Sequence, residues 1–490
     1  MKKRILVWGL GLVLGMVALL VVRALRLTPS DFGSFDIPKS LDISIDEKRL
    51  AEKLSGAIQC ITISHHDPTQ NETRQWRKLR RWIERSFPQV HQNLVQEVFQ
   101  EHSLLYTWVG SDPQLKPVLF LAHQDVVPVS PGTEKDWAHP PFSGAIEGGF
   151  VWGRGTIDDK SSVITLLESV ESLIRLGYRP KRTLLFAFGH DEEVGGEQGA
   201  KTIASALRAR GVKAELVLDE GGIIADGVMS DIPAPIAFVG IAEKGYVTIE
   251  MTAKAKGGHS SMPPARTAIG VLSGVIQRLE THPMPARLQG PVKQMLLTLG
   301  PQMSFLKRLA IANGEFFAPI LLSELAKEPS TNALIRTTAA PTVFHSGEKD
   351  NVLPVEAKAK VNFRVIPGET SQTVIEHFRK LTQEDGVAWE ATVHGEPSAI
   401  SDTDTQGYRQ LKSVVERQFP KTIVSAYLTL GGTDTKHFSG ISSQIFRFLP
   451  QRMGPEDLNR FHGTNERVSL KSLQEMVRFY ADFIQVTSAH

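Results

Sequence analysis

Apolar residues gather in short unbroken runs at Val118 to Ala122, Thr183 to Phe188, Leu216 to Leu218 and Gln444 to Phe448. A strand with apolar side chains on both sides belongs in a sheet covered on both faces, which is the habit of parallel sheets. Between the first two runs, Val163, Leu166, Leu167, Val170, Leu173 and Ile174 recur at helical spacing within Ser162 to Leu176. Strand, helix, strand in that order predicts α/β architecture with a mostly parallel sheet.

The rhythm changes near Lys244. Strand (Tyr246 to Ala253), helix (Thr267 to Leu279), strands (Ala333 to Phe344 and Ala357 to Val365), helix (Gln372 to Leu381) and strand (Ala388 to Val393) follow one another. This βαββαβ order is that of a ferredoxin-like sandwich, here inserted as a lid before the first domain resumes. Residues 283–331 interrupt it with Met295, Leu296, Leu297, Phe305, Leu306, Leu309, Phe316, Phe317, Ile320, Leu321 and Leu322, too apolar for a plain loop, so short helices are expected there.

Earlier in the chain, Arg77, Lys78, Arg80, Arg81 and Arg85 alternate with Trp76, Leu79, Trp82 and Ile83. That pattern predicts an amphipathic helix docked on the core with a solvated basic face. At the start, Lys2, Lys3 and Arg4 precede an uncharged run from Ile5 to Val22, then Arg23 and Arg26. As a helix that run reaches about 27 Å, enough to span a bilayer core. An uncleaved anchor with the body outside the cytoplasm is the favoured expectation, with secretion after signal cleavage as the alternative. The resulting division is 1–27 anchor or signal, 28–45 linker, 46–243 first domain, 244–396 inserted lid, and 397–490 the return of the first domain.

With 490 residues, 41% of them hydrophobic, the chain can form two folded units. Lys plus Arg at 55 against Asp plus Glu at 53 removes any electrostatic reason to expect nucleic acid, so the partner is a small substrate. Cys60 is the only cysteine, which rules out intrachain disulfides and all-cysteine metal sites; it is expected to be buried.

The candidate chemistry lies at the ends of the apolar runs. His123, Asp158, Glu192, Glu193, the Asp219-Glu220 pair and His462 are metal-ligand residue types, and imidazoles with carboxylates suit zinc or a similar divalent ion. Asp125, two residues beyond His123, can accept the other imidazole N–H and set the tautomer. Gly153 and Gly155 allow a tight turn before Asp158, whose two oxygens could bridge two ions. In extended chain Glu192 and Glu193 point apart, leaving one as ligand and the other free to move a proton.

The motifs His123-Gln-Asp125-Val-Val-Pro128, Gly153-Arg-Gly-Thr-Ile-Asp158-Asp-Lys160, His190-Asp-Glu-Glu-Val-Gly-Gly196 and Asp219-Glu-Gly-Gly222 resemble the di-zinc peptidase family of aminoacylase, carboxypeptidase S and glutamate carboxypeptidase. The likeness runs from about Ile45 to the C-terminus and is nearest the carboxypeptidase S branch, which includes enzymes that make and hydrolyse N-fatty-acyl amino acids. It implies that His123 and Asp219 hold one ion and Glu193 and His462 the other, with Asp158 bridging and Glu192 as general base; Glu220 is the fallback for Asp219. It also implies oxyanion stabilisation by His259, substrate contacts from Asn351, Arg364 and Asp434, and a dimer through the lid. The expected metals are two zinc ions, with manganese or cobalt as alternatives, and the expected reaction is hydrolysis of the amide next to a free carboxylate in a short peptide or N-acyl amino acid.

Overall fold

A computed structural model describes residues 2–28, 35, 37–288, 290–383 and 386–489. The chain forms two compact units, one of Thr28–Ile241, Ser401–Tyr427 and Thr433–His490, the other of Met1–Leu27, Ala242–Ile400 and Leu428–Gly432.

At the centre of the larger unit's sheet, strands Leu184–Gly189, Val118–His123, Leu216–Asp219 and Ile445–Arg447 lie side by side and parallel. Every residue of the first three is buried. Alternation along the strands divides their side chains between two cores. Phe120, Ala122, Phe186, Phe188 and Leu218 pack with Val163, Leu166, Val170, Met476 and Phe483. Leu119, Leu121, Leu185, Ala187 and Val217 pack with Ile203, Leu207 and Phe438. Each such side chain contributes about 1.5–3 kcal/mol by leaving water. His123 pairs with Gly189, and Phe120 with Leu218, so the carboxyl ends of these strands finish at one edge of the sheet. Ligands collect at that edge in open α/β sheets.

The helix Thr73–Ser86 buries Trp76, Leu79 and Ile83 and leaves its basic face outward. Cys60 is buried. Of the expected linker, residues 29–34 and 36 lie outside those described. Its second half is not a free tether: Ile43 is buried in the core, and the Leu41 N–H donates to Gln485 Oε1 at 3.0 Å.

In the smaller unit, four antiparallel strands lie in the order Thr338–Ser346, Glu356–Val365, Gly245–Lys254, Val387–Gly395. Helices Ala268–Thr281 and Ser371–Thr382 cover one face. Thr267 caps the first by accepting from Gly270 N, and Thr370 with Thr373 forms a capping box on the second. Inward-facing Val247, Ile249, Met251, Val361 and Phe363 meet Leu272, Val275, Val374 and Phe378.

The apolar interruption forms helices Gly290–Leu299, Phe305–Ala312, Gly314–Leu325 and Pro329–Ile335. Ala333 to Ile335 therefore end a helix instead of opening a strand. Pro329 at its first turn supplies a preset φ, and Asn332, Ala333 and Leu334 complete the turns before the strand begins at Thr338.

At the N-terminus a helix spans Lys2–Arg26. Among the described residues no helix is long and apolar enough to cross a membrane. The run expected to do so begins at Ile5, and the side chains of residues 2–7 and 9 lie outside those described.

Candidate active site

Asp158 organises the site. Its Oδ1 is 2.7 Å from His123 Nε2 and its Oδ2 is 2.8 Å from His462 Nε2, so one carboxylate faces two imidazoles from opposite sides. Glu220 joins the first side at 3.6 Å from His123 Nε2, and Glu193 the second at 3.4 Å from His462 Nε2. The two resulting triples, His123–Asp158–Glu220 and Asp158–Glu193–His462, each hold ligand atoms within 4.8 Å of one another and share Asp158.

The backbone delivers these groups for identifiable reasons. His123 closes its strand, and Glu220 follows directly on the strand ending at Asp219. Gly153 and Gly155 have φ of 143° and 91° before Asp158; a Cβ at Gly155 would stand 2.7 Å from Val126 Cγ1. Such a turn favours glycine. His462 itself adopts φ 56°, unusual for a side-chain-bearing residue.

Asp125 has two tasks. Its carbonyl and Oδ1 lie 3.1 and 3.3 Å from His123 Nδ1; both are acceptors, so Nδ1 keeps a proton, and once the ring gives up its other proton Nε2 is the atom left with a lone pair on the side of Asp158 and Glu220. The same carboxylate accepts from Ser64 Oγ at 2.6 Å and from the N–H groups of Glu192 and Glu193 at 3.1 Å each. One buried acid thus fixes a histidine and the turn bearing both glutamates.

Those glutamates lie in a short 3₁₀ turn, Glu192–Val194, and not in extended chain. The turn still separates them, with Glu193 toward His462 and Glu192 outside both triples.

Asp219 was the expected first choice as ligand, and the geometry favours Glu220. Asp219 Oδ1 turns back to accept the Glu220 N–H at 2.9 Å, while the longer Glu220 side chain reaches His123. Asp434, expected as a substrate contact, is buried beneath the glutamate turn: a Cβ on Gly196 would meet its Oδ1 at 2.1 Å, and one on Gly189 its Oδ2 at 2.6 Å.

Two supporting residues escaped the sequence reading. Buried Glu466 accepts from the N–H groups of Gly155 at 2.9 Å, Ile157 at 2.8 Å and Asp158 at 3.3 Å through one oxygen, and pairs with Arg154 through the other. Arg154 in turn donates to the carbonyls of His462 at 3.0 Å and Gly463 at 3.1 Å. The pair ties the Asp158 turn to the His462 loop across more than three hundred positions. Its only sequence signal is an acid four residues beyond His462.

Electrostatics favour a bound cation here. Burial, then Asp158 and other acids, pushes the Glu220 carboxyl well above its usual range; burial and the neighbouring acids do the same at Glu192 and raise Glu193, against the pull of the histidines. Burial opposes a charged His123, yet Asp158, Asp125 and Glu220 outweigh it and hold its pKa well above the ordinary value. Hydrogen bonds to Asp158 and Glu193 lift His462 to about 10. Acids that need positive charge beside imidazoles that can surrender their protons form a donor set suited to a divalent ion.

His259, Asn351 and Arg364 belong to the smaller unit. His259 pairs with Val352, next to Asn351, whose carbonyl accepts from Ser260 N at 3.2 Å. The Ser261 N–H reaches His259 Nδ1 at 3.2 Å; an amide can only donate, so a neutral ring carries its proton on Nε2. Arg364 stacks on the Tyr246 ring at 4.4 Å.

The model of peptidase family M20/M25/M40 matches residues 119–486, from the first apolar strand to the last helix. The chain belongs to that family. An N-fatty-acyl-amino acid synthase/hydrolase PM20D1 of Xenopus tropicalis is 39% identical over 482 residues, covering 97% of this chain and 93% of the relative. A probable carboxypeptidase S-like 2 of Dictyostelium discoideum is 36% identical over 489 residues, covering 98% and 93%. Among solved structures, an M20 family metallo-carboxypeptidase from Sulfolobus solfataricus superimposes with a TM-score of 0.66 at 18% identity, covering 91% of this chain and all of the other, a likeness of fold. The M20 chain is therefore a metal-dependent peptidase or amidohydrolase whose relatives include both carboxypeptidase S-like and N-fatty-acyl-amino-acid enzymes.

Proposed function

We propose that the chain hydrolyses the amide bond next to a free carboxylate, releasing an amino acid from a short peptide or an N-acyl amino acid. The shared carboxylate of Asp158, with a different imidazole on each oxygen, carries this reading. His123 and Glu220 would hold one divalent ion, Glu193 and His462 a second, and Asp158 both; zinc suits these nitrogen and oxygen donors, with manganese or cobalt as competitors. Two such ions polarise a carbonyl and lower the pKa of water.

Glu192 takes the proton of the attacking water and returns it to the leaving amine. Its raised pKa, due to burial and like charge, suits a carboxyl that must hold a proton between those events. Asp125 keeps His123 in the tautomer that leaves Nε2 free for metal. His259, with its proton on Nε2, supplies a donor for the tetrahedral oxyanion. Arg364 pairs with the substrate carboxylate, and Asn351 adds a polar contact.

The N-acyl reading draws support from the relatives named for fatty-acyl amino acids and from the apolar helices at 290–335. A lid-mediated dimer, membrane anchoring by the N-terminal helix and an extracytoplasmic body complete the proposal. The described part of that helix exposes Leu12, Leu14 and Leu19, as a helix set in lipid does.

In Glu192→Gln, turnover on dipeptides and N-acyl amino acids falls by about 10²–10⁴-fold while metal content stays at the wild-type value. Unchanged turnover in that variant would sink the catalytic reading. Release of amino acid from dipeptides but from no N-fatty-acyl substrate would remove the acyl branch alone.

A further inference from the structure

The core of the smaller unit leaves one helix pair unused. Ser371–Thr382 buries Val374, Ile375 and Phe378, as a helix on a sheet should. Gly314–Leu325, though richer in apolar residues, buries none, and Phe305–Ala312 buries only Ile311. The exposed positions of Gly314–Leu325 are Glu315, Phe316, Pro319, Ile320, Ser323 and Glu324, one continuous stripe. Phe316 is 61% exposed and Ile320 57%; on the adjoining helix Leu306 is 75% exposed. Large apolar side chains left in water are a standing cost to the fold unless something covers them.

The N-terminal helix docks beside this pair. Asn313 Nδ2 donates to the Leu20 carbonyl at 3.1 Å, Arg308 Nη2 donates to those of Leu25 at 3.0 Å and Leu27 at 2.8 Å, and Arg23 pairs with Glu315. Past that dock, Leu10 through Leu19 are exposed without exception and contain no charge. The Arg23–Glu315 pair joins the helix that carries the free apolar stretch to the exposed stripe, one residue before Phe316. At this dock Arg26 and Lys307 are exposed, beside Arg23, which pairs with Glu315, and half-buried Arg308, which holds the Leu25 and Leu27 carbonyls, while Glu324 is paired with Lys327 at 2.7 Å.

We infer that the Phe305–Ala312 and Gly314–Leu325 pair beds in a phospholipid bilayer beside the N-terminal helix, with the arginine and lysine side chains at the level of the headgroups. Charge decides the occupant. Cations at the base of an apolar projection match lipid phosphates, whereas a second copy brought face to face would oppose the same cations to one another. The inference deepens the proposed anchoring and rests on it only in part, because an interfacial hairpin needs no crossing helix.

Cys60 is buried, so a fluorophore attaches to an introduced thiol in the full chain. Phe316→Cys, Ile320→Cys, Leu14→Cys and, on the sheet of the same unit, Val343→Cys are labelled and mixed with phosphatidylcholine–phosphatidylglycerol vesicles whose acyl chains carry nitroxide quenchers. Retained hydrolysis of a dipeptide certifies the fold of each. Labels at 316 and 320 should lose about half their emission to the nitroxide while the label at 343 keeps its own. Quenching at 14 without quenching at 316 and 320 overturns the inference and spares the anchor; the reverse removes the anchor and supports the inference. Concentration-dependent crosslinking through position 316, with no quenching by lipid, assigns the surface to a second copy and also overturns it.

Discussion

The two units solve opposite burial problems. Strands at the centre of the larger unit are covered on both faces and end in a cluster where Asp125, Asp158, Asp219, Glu220, Asp434 and Glu466 are all buried. The smaller unit alternates in and out along Gly245–Lys254 and Glu356–Val365, one face of hydrocarbon against helices and the other polar. A half-covered sheet keeps charge at its surface, while a doubly covered sheet has only its strand ends for polar groups. Concentrating unlike charges there creates the chemistry and makes the larger unit dependent on what neutralises them.

The comparison is tested most strongly at the acid pair. Glu220→Gln should lose about one equivalent of metal and more than 100-fold in activity, whereas Asp219→Asn should weaken metal binding by about 10–100-fold, the cost of a residue behind the ligands. Metal analysis with activity assays on both variants checks this, and the opposite ranking would restore Asp219 as ligand. In the smaller unit the vulnerable group is hydrocarbon. Phe363→Ala should destabilise it by about 3–5 kcal/mol in urea unfolding while metal content holds at the wild-type value; metal loss in that variant would deny the two units their separate bases of stability.

Lys244 is the smaller unit's exception. Burial, then the neighbouring Arg364 charge, lowers it from the ordinary 10.5 to about 7, although the carbonyls of Ala333 and Arg336 accept from its ammonium at 2.9 and 3.0 Å. Between those values the unfolded chain binds the proton and the folded one does not, so stability rises with pH through that window, by at most about 1.4 kcal/mol per pH unit. Below about pH 7 both states are protonated and the slope vanishes. Comparing the pH dependence of unfolding in the wild type and Lys244→Met isolates the contribution; identical slopes would mean that the lysine keeps its charge in the folded state.

Where apolar period and length were unambiguous, reading the chain was enough. The runs at Val118, Thr183 and Leu216 are strands within a residue at either end, and Thr267 stands as the cap of the helix expected from it. Misreadings occurred where neighbouring residues compete locally. Ala333, which could open a strand, finishes a helix; between Asp219 and its fallback Glu220 the sequence leaves the ligand open, and it is Glu220 whose side chain reaches His123. Arg154 and Glu466 were invisible because, beyond their pairing with each other from distant segments, their partners are backbone atoms, which leave no mark in residue type.

The chain by itself determined which residues are available for chemistry and at which strand ends they stand, because apolar periodicity and glycine placement act over a few residues at a time. Tertiary structure alone decided that Asp158 lies between His123 and His462, that Glu220 outreaches Asp219, and that Phe316 and Ile320 face outward. Those outcomes depend on distances between segments hundreds of positions apart, which are set only when the sheet edge closes and the buried Arg154–Glu466 pair ties the distant loops together.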